Sequence, residues 1–147
     1  MIRVQVDDFN VGDEIKAMTA GKTDIGGVCS FIGLVRGDGG TLDAMTLEHY
    51  PAMTEKELAR IDAEAHERWP LDDSLIIHRH GRLVPGDQIV LVLTASRHRA
   101  AAFEACAFLI DWLKTQAPFW KSEETRDGET WVAAKASDNA AAERWDK

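Results

Sequence analysis

Apolar and polar positions change their period several times along the chain, and each change marks an element. Ile2 to Val6 alternates apolar with polar, the pattern of a short half-buried strand. Asn10 is a candidate N-cap for a short helix over residues 11–19. Residues 25–35 (IGGVCSFIGLV) form a long apolar run rich in Gly and β-branched side chains, which predicts a buried strand ending at Arg36 in the flexible loop GDGG. Leu42 to Tyr50 alternates again and predicts its neighbour. Pro51 and Thr54 announce a helix, with Thr54-Glu55-Lys56-Glu57 read as a capping box. Leu58, Ile61, Ala65 and Trp69 then recur at helical spacing until Pro70.

In the second half, residues 74–84 and 88–94 predict two strands joined by a tight turn at Pro85-Gly86-Asp87. Residues 97–116 are the clearest helix, with Phe103, Cys106, Ala107, Ile110 and Leu113 on one face and Pro118 as its stop. Two short strands over 119–125 and 130–134 meet at Arg126-Asp127-Gly128-Glu129, where Asp-Gly is a hairpin signal. From Ser137 the tail is either a last helical turn or a segment that a partner orders. Hairpins mixed with helices, without the regular alternation of a doubly wound sheet, predict an α+β fold. The expectation is a single compact domain over residues 1–147, with a mixed, mainly antiparallel sheet and two main helices. No repeat, low-complexity tract or linker divides it.

Composition agrees with that picture. The 147 residues, 45% of them hydrophobic, can build a core without disulfide or metal staples. The N-terminus MIRVQVDDFN carries acids where a secretory leader needs positive charge, and no stretch approaches the roughly 18 apolar residues of a membrane span. The expected location is the cytoplasm. Cys29 and Cys106 lack CxxC spacing and are expected to be small buried hydrophobes.

Charge adds a functional hint. The net charge of −8 argues against a nucleic-acid backbone as main partner. Residues 78–121 nevertheless hold six basic side chains against three acidic ones. Arg79, Arg82, Arg97, Arg99, Lys114 and Lys121, with His98 among them, either bind a small anion or are solvated surface charge. His78 and His80 share a strand face, yet no third metal ligand is evident, and no metal site is expected. Glu48 and His49 are strand neighbours pointing to opposite faces, which favours structural roles. The five tryptophans fit packing better than a nucleic-acid platform. No phosphate loop or dinucleotide fingerprint is present.

The segment Lys114-Thr115-Gln116-Ala117-Pro118-Phe119-Trp120-Lys121 brackets a helix stop with two lysines. A lysine beside another cation, or in an apolar setting, has its pKa lowered and becomes a plausible base or nucleophile. The alternative is that Lys114 merely complements the helix dipole. His98 and Lys114, sixteen positions apart, are separated by roughly 24 Å along a continuous helix. Either the two ends serve different purposes, or a symmetric dimer brings one chain's Arg97-His98-Arg99 to the other's lysines.

These residues match a known family: the chain resembles the large, catalytic subunit of molybdopterin synthase (MoaE type). The matching stretches are Phe31 to Arg36, Leu47-Glu48-His49-Tyr50-Pro51 with Met53-Thr54, Arg68-Trp69-Pro70-Leu71, and Ile77-His78-Arg79 with Gly81. They continue with Pro85-Gly86-Asp87, His98-Arg99 with Ala102 to Ala105, and Leu113 to Lys121 with Glu123, in family order over nearly the whole chain. The resemblance implies that a small ubiquitin-like subunit (MoaD type) delivers sulfur from its C-terminal thiocarboxylate to cyclic pyranopterin monophosphate. Two transfers form the dithiolene of molybdopterin. It implies a homodimer of this chain within a heterotetramer, and no cofactor of the chain's own.

By the same resemblance Lys114 and Lys121 are catalytic, and Leu34, Val35, Arg36, His98, Arg99, Lys121, Ser122 and Glu123 bind substrate. Guanidinium forks suit the cyclic phosphate. Lys114 then acts as acid/base, as oxyanion stabiliser or as transient acyl acceptor. The loop Gly37 to Gly40 is shorter than in many members, and Gln116, Ser122 and His80 depart from the familiar residues. Two other readings stand beside this one: a non-catalytic module that binds the tail of a ubiquitin-like protein, and a stand-alone pterin phosphate hydrolase.

Overall fold

The computed structural model describes residues 1–132 and 135–146. Its elements are β1 (Ile2–Gln5), α1 (Val11–Thr19), β2 (Gly27–Leu34), β3 (Leu42–His49), α2 (Pro51–Arg68), β4 (Leu71–Arg79), β5 (Gly81–Leu83), β6 (Gln88–Ser96), α3 (Arg99–Thr115), β7 (Phe119–Thr125), β8 (Gly128–Val132) and α4 (Ala136–Glu143). The class is α+β, and the strands divide between two four-stranded sheets ordered β1-β4-β6-β2 and β5-β3-β7-β8. Only β1 against β4 is parallel; the other pairings are antiparallel.

β6 is buried along most of its length because it is central and covered on both faces. Alternate residues feed opposite layers. Ile76, Val90 and Val92 pack with Leu58, Ile61 and Leu109 from α2 and α3. Leu75, Ile77, Leu91 and Leu93 pack with Phe9 and with Met18 of α1. Asn10 caps α1 as its sequence position predicts, its side chain accepting from the Asp13 amide at 3.0 Å.

Five expectations change. The run at 25–35 is not a fully buried strand: β2 is the edge of its sheet and half-buried, although its side chains pack towards both layers. The capping box does not form, because Pro51 starts α2 a turn early, leaving Thr54 inside the helix and fully buried. The single strand expected over 74–84 is broken at Gly81, whose φ of +90° suits glycine and lets the chain leave one sheet for the other. The buried face of α3 is Ala102, Ala105, Cys106, Phe108, Leu109 and Trp112, while Phe103 is 61% exposed. Small side chains there permit a close approach to β6, where the Thr94 hydroxyl donates to the Ala102 carbonyl at 2.7 Å. Finally, the hairpin turns at Arg126-Asp127, and Gly128 already pairs with Thr125. Ala133 and Ala134, in the strand expected over 130–134, lie outside the described residues.

The tail is a helix packed on α3. Trp145 meets Trp69 and Phe108 edge-on at 5.6 and 5.7 Å, and its indole donates to Asp111 at 2.6 Å. Among the described residues no helix is long and apolar enough to cross a membrane.

Candidate functional site

The two lysines meet where α3 ends and β7 begins. Lys114 lies in the last turn of α3, where a cation complements exposed carbonyls. Lys121 is half-buried on β7, paired with Leu47 of β3. Strand alternation puts Phe119, Lys121 and Glu123 on one face with His49, Leu47 and Met45, their register partners. Leu47 and Met45 cluster there with Val35, Leu42 and Leu83, so Lys121 emerges beside a small apolar core.

Lys114 reaches solvent, yet protein crowds its ammonium. That desolvation, followed by repulsion from Lys121, Lys135 and Arg36, holds it below the usual lysine range, with Asp138 opposing the shift. The arrangement therefore brings Lys121 and Arg36 within electrostatic reach of Lys114. It raises the fraction of Lys114 that is neutral, as a base or nucleophile requires.

A group of aromatic rings supports the corner between the lysines. His78, buried on β4, stacks on Phe119 with centroids 3.8 Å apart and planes 17° off parallel. Its Nδ1 contacts the Arg79 carbonyl at 2.8 Å, an arrangement in which the ring nitrogen donates. Burial pushes the His78 pKa down to about 4; that hydrogen bond opposes the shift, and the Lys114, His49 and His80 charges reinforce it. His49 lies 4.3 Å from His80 and 5.9 Å from Phe119, centroid to centroid. His80 is lowered by burial and by His49. His78 thus serves as a neutral stacking ring. Among the described residues no group of three or more His, Cys, Asp or Glu side chains is placed to hold a metal ion.

The remaining sequence candidates fall into three sets. Leu34 ends β2 and is 54% exposed, whereas Val35 is buried and anchored by backbone bonds to Asp87 and Gly86 at 2.9 and 2.8 Å. These bonds fix the exit from which exposed Arg36 faces the lysines. Glu123 shares the face of Lys121, but the Ser122 side chain is on the other face of β7, donating to Glu129 at 2.8 Å. His98 and Arg99 are exposed at the opposite end of α3, which runs unbroken from Arg99 to Thr115. That continuity keeps them roughly 22–24 Å along the axis from Lys114. A cavity of about 200 Å³ between α2, α3 and α4 is lined by Arg60, Arg68, Trp112, Gln116 and Trp145 among others, and neither lysine borders it.

Sequence reading missed Asp138, Lys135 and the support from Thr54. The tail charges had no signal because their proximity to Lys114 exists only once α4 packs on α3. Thr54 had a signal, its hydroxyl, but a local cap explained it adequately.

A sequence profile of the MoaE protein family matches residues 4–116. The chain belongs to the MoaE family. A molybdopterin synthase catalytic subunit of Mesorhizobium japonicum is 56% identical over 98% of this chain and 92% of its own length. Among solved structures, the molybdopterin biosynthesis MoaE protein of Burkholderia ambifaria is 52% identical with a TM-score of 0.85, covering 99% of this chain and 97% of its own. A Helicobacter pylori chain, solved as a protein–protein complex of subunits 1 and 2 of molybdopterin-converting factor, is 20% identical with a TM-score of 0.74 over 92% and 90% of the two chains, a likeness of fold alone. The likeness of fold to the Burkholderia ambifaria structure extends over 99% of the chain.

Proposed function

We propose that this MoaE-family chain is the catalytic subunit of a molybdopterin synthase, a sulfurtransferase that moves sulfur from the C-terminal thiocarboxylate of a small ubiquitin-like subunit to cyclic pyranopterin monophosphate. The observation that carries this reading is the convergence of Lys114, Lys121 and Arg36 beside an apolar wall. Arg36 and Lys121 supply positive charge to the cyclic phosphate, and Lys114, its pKa lowered by burial and neighbouring cations, exchanges a proton or steadies the oxyanion formed as the thiocarboxylate is consumed. The sulfur comes from the carrier, so the chain needs no catalytic thiol of its own. Cys106 fits that division, since burial and the neighbouring Cys29 sulfur keep its thiol protonated.

The small subunit is supported by the family resemblance and by the two-subunit complex solved for the Helicobacter pylori relative. The length of α3 supports a homodimer, in which His98 and Arg99 of one protomer complete the other's lysine site. The cytoplasm suits a chain with two free cysteines.

The test is conversion of cyclic pyranopterin monophosphate by the purified chain, with and without the thiocarboxylated small subunit, following dithiolene product. Turnover only with the carrier is expected. Tight carrier binding without turnover, alongside an active control enzyme, would overturn it in favour of a binding module, and consumption of the pterin by the lone chain without dithiolene would favour a hydrolase. For the dimer, mixing Arg99→Ala with Lys114→Ala chains should restore about a quarter of wild-type activity through hybrid sites; a fully active monomer would exclude the shared site.

A further inference from the structure

The corner between the two lysines, where α3 passes into β7, is held by residues of other elements. Inside α2 the fully buried Thr54 donates its hydroxyl to the Pro118 carbonyl at 3.1 Å, across 64 positions of sequence. On β4, His78 stacks on Phe119, the next residue, while its own Nδ1 is tied to the Arg79 carbonyl. Phe119 also closes a tight backbone bond to Ala117 at 2.8 Å, and the Gln116 amide closes the end of α3 on Trp112 at 2.8 Å. Two buried side chains from two different elements therefore grip consecutive residues of the six that separate Lys114 from Lys121.

A helix end followed by proline would otherwise be a soft joint. Pro118 cannot continue α3 and donates no backbone hydrogen bond, so the direction in which β7 leaves depends on its pairing with β3 and on contacts made to the corner itself. We propose that Thr54 and His78 are positioning residues that lock the Pro118–Phe119 corner and so set the separation of Lys114 and Lys121. A proline carbonyl bonded to a helix interior fixes the exit direction, and the flat stack on Phe119 fixes the rotation of β7 about its own axis. Lys121, two residues beyond Phe119 on the same face, inherits both. The inference rests on the sulfur-transfer reading only for its kinetic consequence; the geometric claim stands without it.

The experiment compares Thr54→Val, which keeps volume and removes the donor, with Thr54→Ser, which keeps the donor. In the reconstituted conversion assay Thr54→Val should lower kcat about tenfold while KM stays within about twofold, because misplacing reacting groups by a fraction of an ångström acts on the chemical step. Thr54→Ser should stay within about twofold of wild type. An activity-independent readout is the titration of Lys114, followed by NMR on 13C-methylated protein and assigned with Lys114→Arg. The groups facing Lys114 are Lys121 on β7, Lys135 and Asp138 at α4, Arg36 after β2 and His78 on β4. If the corner relaxes and Lys121 moves away, Lys114 titrates at higher pH in Thr54→Val and is unmoved in Thr54→Ser.

Wild-type kcat and an unshifted Lys114 titration in Thr54→Val would overturn the proposal, as would Thr54→Ser behaving like Thr54→Val. Should Thr54→Val fail to fold, His78→Asn, which retains a donor for the Arg79 carbonyl and loses the stack, is read the same way. A wild-type chain that never turns over would sink the sulfur-transfer reading instead, and the Lys114 titration would still decide this one.

Discussion

The two sheets of the molecule carry out different tasks, and they differ in how they treat polar groups. In the β1-β4-β6-β2 sheet the central strands are covered on both faces, and buried polar side chains are consumed internally: Ser74 donates to Asp62 at 2.6 Å, Thr94 to Ala102 and Ser96 to the Pro70 carbonyl at 2.8 Å. Among the described residues, every buried polar side chain of that sheet has an internal partner. In the β5-β3-β7-β8 sheet one face carries a modest apolar cluster, and the same face carries Lys121 and Glu123, Lys121 acting on Lys114 at the end of α3. A cation loses less hydration at such a margin than it would in the other sheet. The comparison teaches that the scaffold is built where polarity can be closed off, and the site where it must stay open.

Damage to the site should cost rate, and damage to the scaffold should cost stability. The largest effect is expected for Lys114→Ala, with activity in the complete system falling about 10²–10⁴-fold while the unfolding midpoint stays near wild type. Unchanged activity would break the division at its most important point. Ile76→Ala, at a fully buried position of β4, should reverse the pattern. Chemical denaturation is expected to show a loss of about 2–5 kcal/mol, while the rate per folded molecule is retained.

A smaller effect concerns His78, which belongs to both regions because it sits on β4 and touches β7. Its pKa is held at about 4 in the folded chain against an ordinary 6.5, so between those values the unfolded chain binds the extra proton and folding weakens as pH falls. Between pH 7 and pH 5 this amounts to about 2 kcal/mol at ~1.4 kcal/mol per pH unit. Urea unfolding of wild type should show that loss, and His78→Gln should not; parallel pH profiles would refute the linkage. The smallest effect is expected for Lys22→Ala. It removes a 2.7 Å ion pair with Asp73 in which both partners reach solvent, and should change stability by no more than about 1 kcal/mol.

Much of this was legible in sequence wherever the cause was local. Asn10, Pro70 and Pro118 bound their helices through capping and ring geometry, and the run from Gln88 read as a strand, as β6 is, although its burial was not foreseen. Lys114 and Lys121 were legible too, since a helix stop between two cations is a sequence feature. Misreadings arose where two local explanations competed. Thr54 looked like a cap because Glu57 follows it at the right distance, but Pro51 had already supplied a helix start. Phe103 looked like core because it opens an apolar series at i, i+3, i+4 and i+7, but the helix settled on Ala102 and Ala105, whose small side chains let it approach the sheet.

By itself, then, the amino-acid order determined the elements, the family resemblance and the presence of two lysines around a helix stop, because these depend on periodicity, turn chemistry and neighbours a few residues apart. Tertiary structure alone decided which sheet each strand joined, that Lys114 lies near Arg36 and Asp138, and that Thr54 and His78 grip the corner between the lysines. Those are contacts between positions tens of residues apart, and they exist only after the apolar faces have chosen their partners and the chain has turned at Gly81 from one sheet into the other.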